Sequence, residues 1–281
     1  MKRNQYIAIG SVVILMGILF SMDIKGLVKP EDNSENMQAE AGAPKATTSI
    51  SAESISATAK QNLNANLAAD IERLEKELKA ASDDDALALQ AQLAQKWDDV
   101  NQPAAAAFAY EALASAKPSY ENWLKTGDRF TEGYKNFSDT TAIPGLVDKA
   151  INAYNKALEL NKESLDAQTG LGVAYVTGTQ NPMQGIQLLL GVVKKDPNNV
   201  PANLNLGMFS MKSGQFNKAV DRFKTVIAAN PTPEAYFYLG TSYENLGMKS
   251  EAIAAYQESK KLAADPGLSS FVDRKVKELS N

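Results

Sequence analysis

Two stretches, 206-LGMFSMKSGQFNKAVDRFKTVIAANP-231 and 239-LGTSYENLGMKSEAIAAYQESKKLAADP-266, carry the same punctuation. In each, Leu-Gly is followed twelve residues later by an alanine, Ala219 or Ala252, then by a large residue, Phe223 or Tyr256, and closes on Pro231 or the slightly late Pro266. The same template finds Leu171-Gly172, Gly185, Leu189 and Pro197 upstream. Two weaker copies come earlier: Gly127, Ala150 and Tyr154, and before them Leu93-Ala94, Ala106, Tyr110 and Pro118. Leu189, Phe223 and Tyr256 are 34 and 33 residues apart, a period that predicts a solenoid of helix pairs.

The spacing has a mechanical reason. In a hairpin of two antiparallel helices a small residue on each lets the backbones approach, and a large residue one turn further fills the groove beside the crossing. Gly207 with Ala219 and Gly240 with Ala252 are such pairs. Gly214 and Gly247 fall where the hairpin turns and a positive φ is needed. Pro118, Pro197 and Pro231 end the second helix. Each pair then leaves an apolar face that the next pair covers.

These residues resemble the tetratricopeptide repeat. Tyr236, Leu239-Gly240, Tyr243, Gly247, Ala252, Tyr256 and Ser259 in the late alanine slot follow its pattern, as do Trp123, Gly127, Phe130, Ala150, Tyr154 and Ala157. Ser210, Thr126, Lys162 and Ala94 depart from it. The resemblance implies an all-α, right-handed superhelix, with about five helix pairs over residues 82–266 and a capping helix over 267–281 whose Phe271, Val272, Val276 and Leu279 face inward. It also implies that first helices line the concave surface, through Leu124, Asp128 and Thr131, Thr169, Val173 and Val176, Leu204, Met208 and Met211, and Phe237, Thr241 and Glu244. The family's clamp of Lys and Asn for a C-terminal carboxylate is missing there. Val173, Val176, Leu204, Met208, Met211, Phe237, Thr241 and Glu244 are therefore the candidate protein-binding groove, largely apolar and adaptable through its methionines. Burial of several of them in the winding of the solenoid is the competing reading.

Composition narrows the chemistry. With 281 residues and 44% hydrophobic content the chain can bury a large core. A net charge of −4 without a clustered basic face argues against nucleic acid. Cysteine and histidine are absent, which removes thiolate chemistry, the commonest general base and the commonest metal ligand. Asp83-Asp84-Asp85 and Asp98-Asp99 invite a catalytic or cation-binding reading, but such runs beside helix starts read as caps on a solvated face. No catalytic residue, cofactor or metal is assigned.

At the N-terminus, basic Met1 to Arg3 precedes 19 uncharged residues, Asn4 to Met22. At about 1.5 Å per residue this just spans a hydrocarbon core of roughly 30 Å. A signal-anchor over residues 1–22 is expected; the cleaved signal peptide is the competing reading, and the absence of a small-x-small site in Leu19-Phe20-Ser21-Met22-Asp23 speaks against it. The short basic tail favours export of the remainder, toward the periplasmic side of a bacterial-type inner membrane. Residues 23–59 hold hardly a large apolar residue after Val28 and are expected to be a disordered linker. In the amphipathic helix of residues 60–81, Leu63, Leu67, Ile71, Leu74 and Leu78 mark one face, which either covers the first hairpin or joins a second copy as a short coiled coil. Gly127 to Ala150 spans 23 residues instead of twelve, so residues 133–146 read as an insertion whose part Gly133 to Thr141 is a lengthened turn, with Ile143 to Leu146 leading into the second helix; the turn is either a contact site or a tolerated insertion without a role.

The expected function is a non-catalytic, membrane-tethered scaffold holding a protein or peptide partner in its groove, in a chaperone-like or envelope-assembly role by analogy of layout alone. The alternative is a structural protein that self-associates through residues 63–78.

Overall fold

The computed structural model describes residues 50–263 and 265–280, apart from the side chains of Asp83 and Asp84, all within the second of two compact units, residues 1–45 and 46–281. Among the described residues there are thirteen α-helices and no strand. Helices α1 (Ala52–Lys60) and α2 (Ala65–Ala80) precede five helical hairpins. These are α3 (Asp83–Asp99) with α4 (Pro103–Ala116), α5 (Tyr120–Asn136) with α6 (Ile143–Leu160), α7 (Leu165–Gly178) with α8 (Pro182–Lys195), α9 (Val200–Lys212) with α10 (Phe216–Ala229), and α11 (Pro233–Asn245) with α12 (Lys249–Leu262). Helix α13 (Pro266–Ser280) packs on α12. The expected anchor of residues 1–22 and the linker as far as residue 49 lie outside the described residues. No described helix is long and apolar enough to cross a membrane.

Local chemistry sets the boundaries. Ser119, Ser164, Asn199 and Thr232 each accept the backbone N–H three residues on, so the first helix of every pair from the second onward starts on a capping side chain. Gly214 and Gly247 take φ +74° at the turn of their hairpins. Asn101, at the equivalent place between α3 and α4, also has positive φ, a conformation asparagine tolerates better than other side chains.

The repeat closes on one contact. A Cβ added to Gly207 would stand 2.7 Å from the Phe223 ring, one on Gly240 2.7 Å from Tyr256, one on Gly127 2.7 Å from Tyr154, and one on Gly172 2.9 Å from Leu189. All four large residues are at most 1% exposed, and each fully buried side chain contributes roughly 1.5–3 kcal/mol. In the first pair Ala94 replaces the glycine, and Tyr110 is only partly buried.

Two expectations need correcting, and one pair of alternatives is decided. The end of the expected linker is the helix α1, started by a reciprocal cap between Ser51 and Ser54 and docked on α4 through Ile55 and Ala59, 3% and 2% exposed. Nine residues would not hold a helix alone. Helix α4 is buried on all sides from Ala104 to Ala107 and carries only small side chains there, so its neighbours approach closely, and Lys60 Nζ of α1 also pairs with Glu75 of α2 at 2.7 Å.

The second correction concerns residues 133–146. Gly133 is helical, not a turn: α5 runs on to Asn136, and a Cβ on Gly133 would lie 2.8 Å from Ala104 Cα. The glycine admits the start of α4, Tyr134 is buried beside it, and the loop shrinks to residues 137–142. Most of the insertion therefore lengthens α5 and α6 instead of protruding.

Of the two readings of the leucine stripe of α2, the structure agrees with the one in which it covers the first hairpin. Ile71 and Leu74 are buried, Leu63 and Leu78 border the same core, and α2 packs on α3. That face is covered within the chain, which leaves no apolar seam for the alternative, a coiled coil with a second copy.

Glycines that look alike in the sequence should separate on mutation. Gly207→Ala forces a methyl into Phe223 and is expected to destabilise by about 1–3 kcal/mol. Gly191→Ala, inside α8 with nothing within 4 Å, should stabilise by up to about 1 kcal/mol. Urea unfolding followed by circular dichroism decides both signs.

Candidate protein-binding groove

Successive first helices touch, α5 to α7, α7 to α9 and α9 to α11, more closely than successive second helices do. The array therefore curves with its first helices inside, and their outward-pointing positions line the concave face.

What lines that face follows from the second helix. Four residues after the first-helix small residue stand Asp98, Thr131, Val176, Met211 and Glu244. The first two and the last meet a tyrosine hydroxyl. Tyr110 Oη donates to Asp98 Oδ2 at 2.9 Å, Tyr154 Oη bonds with Thr131 Oγ1 at 3.1 Å and donates to Asp128 Oδ1 at 2.9 Å, and Tyr256 Oη donates to Glu244 Oε2 at 2.6 Å. Pairs three and four present Leu189 and Phe223, which have no hydroxyl to satisfy, and there the same place is Val176 and Met211. A buried phenol needs a partner. The groove is accordingly polar at both ends and apolar in the middle.

Both polar ends are tied to the following helix. Asp98, 12% exposed in its side chain, faces Lys125 Nζ at 3.4 Å and Arg129 Nε at 2.7 Å, the latter an ion pair without hydrogen-bond alignment. At the other end Lys275 of α13 reaches Glu244 Oε1 at 2.8 Å. Burial, followed by the bond to Asp98, pushes the Tyr110 hydroxyl up to about 12. Burial also raises Tyr256, with its bond to Glu244 adding to the effect. Burial would raise Glu244, yet the bonds from Lys275 and Tyr256 outweigh it and hold the carboxyl below its ordinary value. Tyr154 is raised well above its ordinary value by burial and then by the charge of Asp128. None of these phenols can ionise near neutral pH, so they act as fixed donors.

The candidate groove residues are not equivalent. Val173 is 6% exposed and packs with Leu189, Val192, Ala202 and Leu206, so it belongs to the core and not to a contact surface. Phe237 lies against Tyr256 and Phe271 of α13, with ring centroids 5.7 and 5.5 Å away. Glu244 is engaged by Lys275, and Thr241 bonds to Phe237 O and accepts from Tyr256. The capping helix thus occupies the end of the groove. Val176, Leu204 and Met211 remain half-buried, and Met208 is 40% exposed. Asp98, expected on a solvated cap, sits instead at the end of α3 and links two pairs. The signal for it is present in the sequence, an acid four residues after the small residue wherever the second helix offers tyrosine at either end of the array.

Residues 204–269 match the model of the tetratricopeptide repeat family. No curated protein sequence matches the chain. Among solved structures, TTC0263, a thermophilic TPR protein in Thermus thermophilus, is 19% identical over 68% of this chain and 99% of that one, with a TM-score of 0.52. MamA is 23% identical over 60% of this chain and 93% of its own, with a TM-score of 0.46. YrrB, described as a TPR protein with an unusual peptide-binding site, is 17% identical over 73% and 99%, with a TM-score of 0.44. The Thermus likeness supports an all-helical solenoid of tetratricopeptide type.

The depressed Glu244 predicts a pH dependence. Its contribution is complete above its ordinary value of about 4.5 and is lost as pH falls through the lower folded value. Glu244→Gln should cost roughly 0.5–1 kcal/mol at pH 7 and progressively less as pH falls below 4.5. Thermal midpoints of the two proteins across that range make the comparison.

Proposed function

We propose that the chain is a non-catalytic scaffold that holds a protein partner against the middle of its concave face. The observation that carries this reading is the apolar break between two polar ends. Met208, 40% exposed, stands beside half-buried Leu204 and Met211 on the face that curvature encloses, where neither phenols nor ion pairs use the surface. Methionine adapts to varied partner shapes, and an uncovered apolar trough gains by excluding water.

Residues 4–22 serve as the anchor in a bacterial-type inner membrane, with the array on the periplasmic side assisting assembly of envelope proteins in a chaperone-like role. The basic start and the uncharged run of 19 residues support the anchor. Self-association through residues 63–78 is disfavoured because the apolar face of that helix is already covered.

A photo-crosslinking residue placed at Met208 of the full chain in its native membrane is expected to trap a discrete partner. The same residue at exposed Asn217, on a second helix, should not trap it, and Met208→Glu should reduce the partner's recovery at least about tenfold. Identical adducts at both positions would remove the groove from consideration, and a reporter joined after Asn281 reads the side of the membrane.

A further inference from the structure

We propose that the concave wall between α5 and α7 receives an arginine or lysine side chain of a partner peptide, whose apolar residues then lie on Leu204 and Met208. The proposal rests on the groove reading above and specifies its occupant.

Two carboxylates mark the place. Asp128 lies in the middle of α5, and Asp166 in the first turn of α7. Among the described residues neither has a cationic partner in an ion pair. The cations nearest to Asp128 along its own helix are engaged elsewhere, Lys125 with Asp98 and Arg129 with Asp98 and Glu132. Asp128 retains only the hydroxyl of Tyr154, which holds one oxygen in place and leaves the other open. Burial raises its carboxyl, the Tyr154 bond and then the charge of Arg129 offset part of this, and the charge of Asp166 adds to the rise. The Tyr154 hydroxyl that Asp128 accepts lies 2.7 Å from where a Cβ on Gly170 would stand, one turn after Asp166 on α7, so the two acids border one stretch of the wall.

A third group points the same way. Thr169 holds the wall position that Leu124, Leu204 and Phe237 hold in the other pairs. Its side chain is 6% exposed and its Oγ1 has no hydrogen-bond partner. Thr126, Thr177 and Thr241 on the other first-helix turns each donate to the carbonyl four residues back. A buried hydroxyl without a partner is unfavourable, and a donor arriving beside α7 would satisfy it. Two carboxylates and a hydroxyl suit an ammonium or guanidinium group. They are too few for a metal ion, and no cluster of three acidic ligands exists among the described residues.

Geometry fixes the spacing of the partner. Neighbouring helices stand roughly 8–10 Å apart, so the acidic wall and the Leu204 and Met208 surface are about 10–20 Å from one another. An extended chain advances about 3.3 Å per residue. The basic residue and the apolar residue of the peptide are therefore about three to six positions apart.

The test is a selection of random twelve-residue peptides displayed on phage, panned on the full chain in mild detergent. Enriched sequences are expected to carry Arg or Lys three to six residues from Leu, Ile, Met or Phe. For the best peptide, Asp128→Asn with Asp166→Asn should weaken binding roughly 5- to 30-fold, with the loss shrinking as salt rises, while helicity stays unchanged. Asn at 128 keeps an acceptor for Tyr154. Enriched peptides that lose binding to Met208→Glu but lack basic residues, or that ignore the two Asn changes, overturn this inference alone. Peptides indifferent to Met208→Glu, or no enrichment at all, overturn the groove reading beneath it.

Discussion

The whole array depends on a missing side chain. In four of five pairs a ring or leucyl group on the second helix lies where a Cβ on the first would be, and the absent carbon lets the two axes close. Tyr154 uses the vacancy twice, because Gly170 of the following pair also leaves room for its ring. The contact inside one hairpin is then also the contact between hairpins. A solenoid has no distant core to correct a misplaced element, so its geometry is the sum of such local fits.

The same side chain that closes the hairpin decides what the concave face presents. A tyrosine carries its hydroxyl through to the inside of the curve and calls for an acceptor there. Asp98, Thr131 and Glu244 answer it. Leu189 and Phe223 carry nothing through, and Val176 and Met211 follow. Packing and recognition are coupled in this way, since exchanging phenylalanine for tyrosine in the core alters the polarity of the groove. The acids gathered at the two ends also bind the next helix, Arg129 at one and Lys275 at the other, so the ends brace the stack while the centre stays uncommitted.

The parts of this arrangement that are local were legible in the sequence. Gly207, Gly214, Gly240 and Gly247 announce the hairpins because their roles, close approach and positive φ, are set by neighbours a dozen residues away. Gly133 misled for the same reason: a glycine near an expected loop reads as a turn, and only the passage of Ala104 beside it shows that small size was what mattered. Helix α1 was hidden because what holds it is tertiary, the burial of Ile55 and Ala59 and the pairing of Lys60 with Glu75, not its own composition. Among the candidate groove residues Met208 stays 40% exposed and Met211 half-buried, but Val173 sinks into the core and Phe237 lies against Phe271. Neither outcome is visible without knowing how far one pair rotates over the next and where the last helix lands.

The central claim is that the glycine and the large residue act as one unit. A double-mutant cycle on Gly207→Ala and Phe223→Leu, measured by urea unfolding, tests it most directly. The account predicts a coupling of at least about 1 kcal/mol, with the smaller Leu recovering part of what the added methyl costs. Strictly additive changes would contradict it.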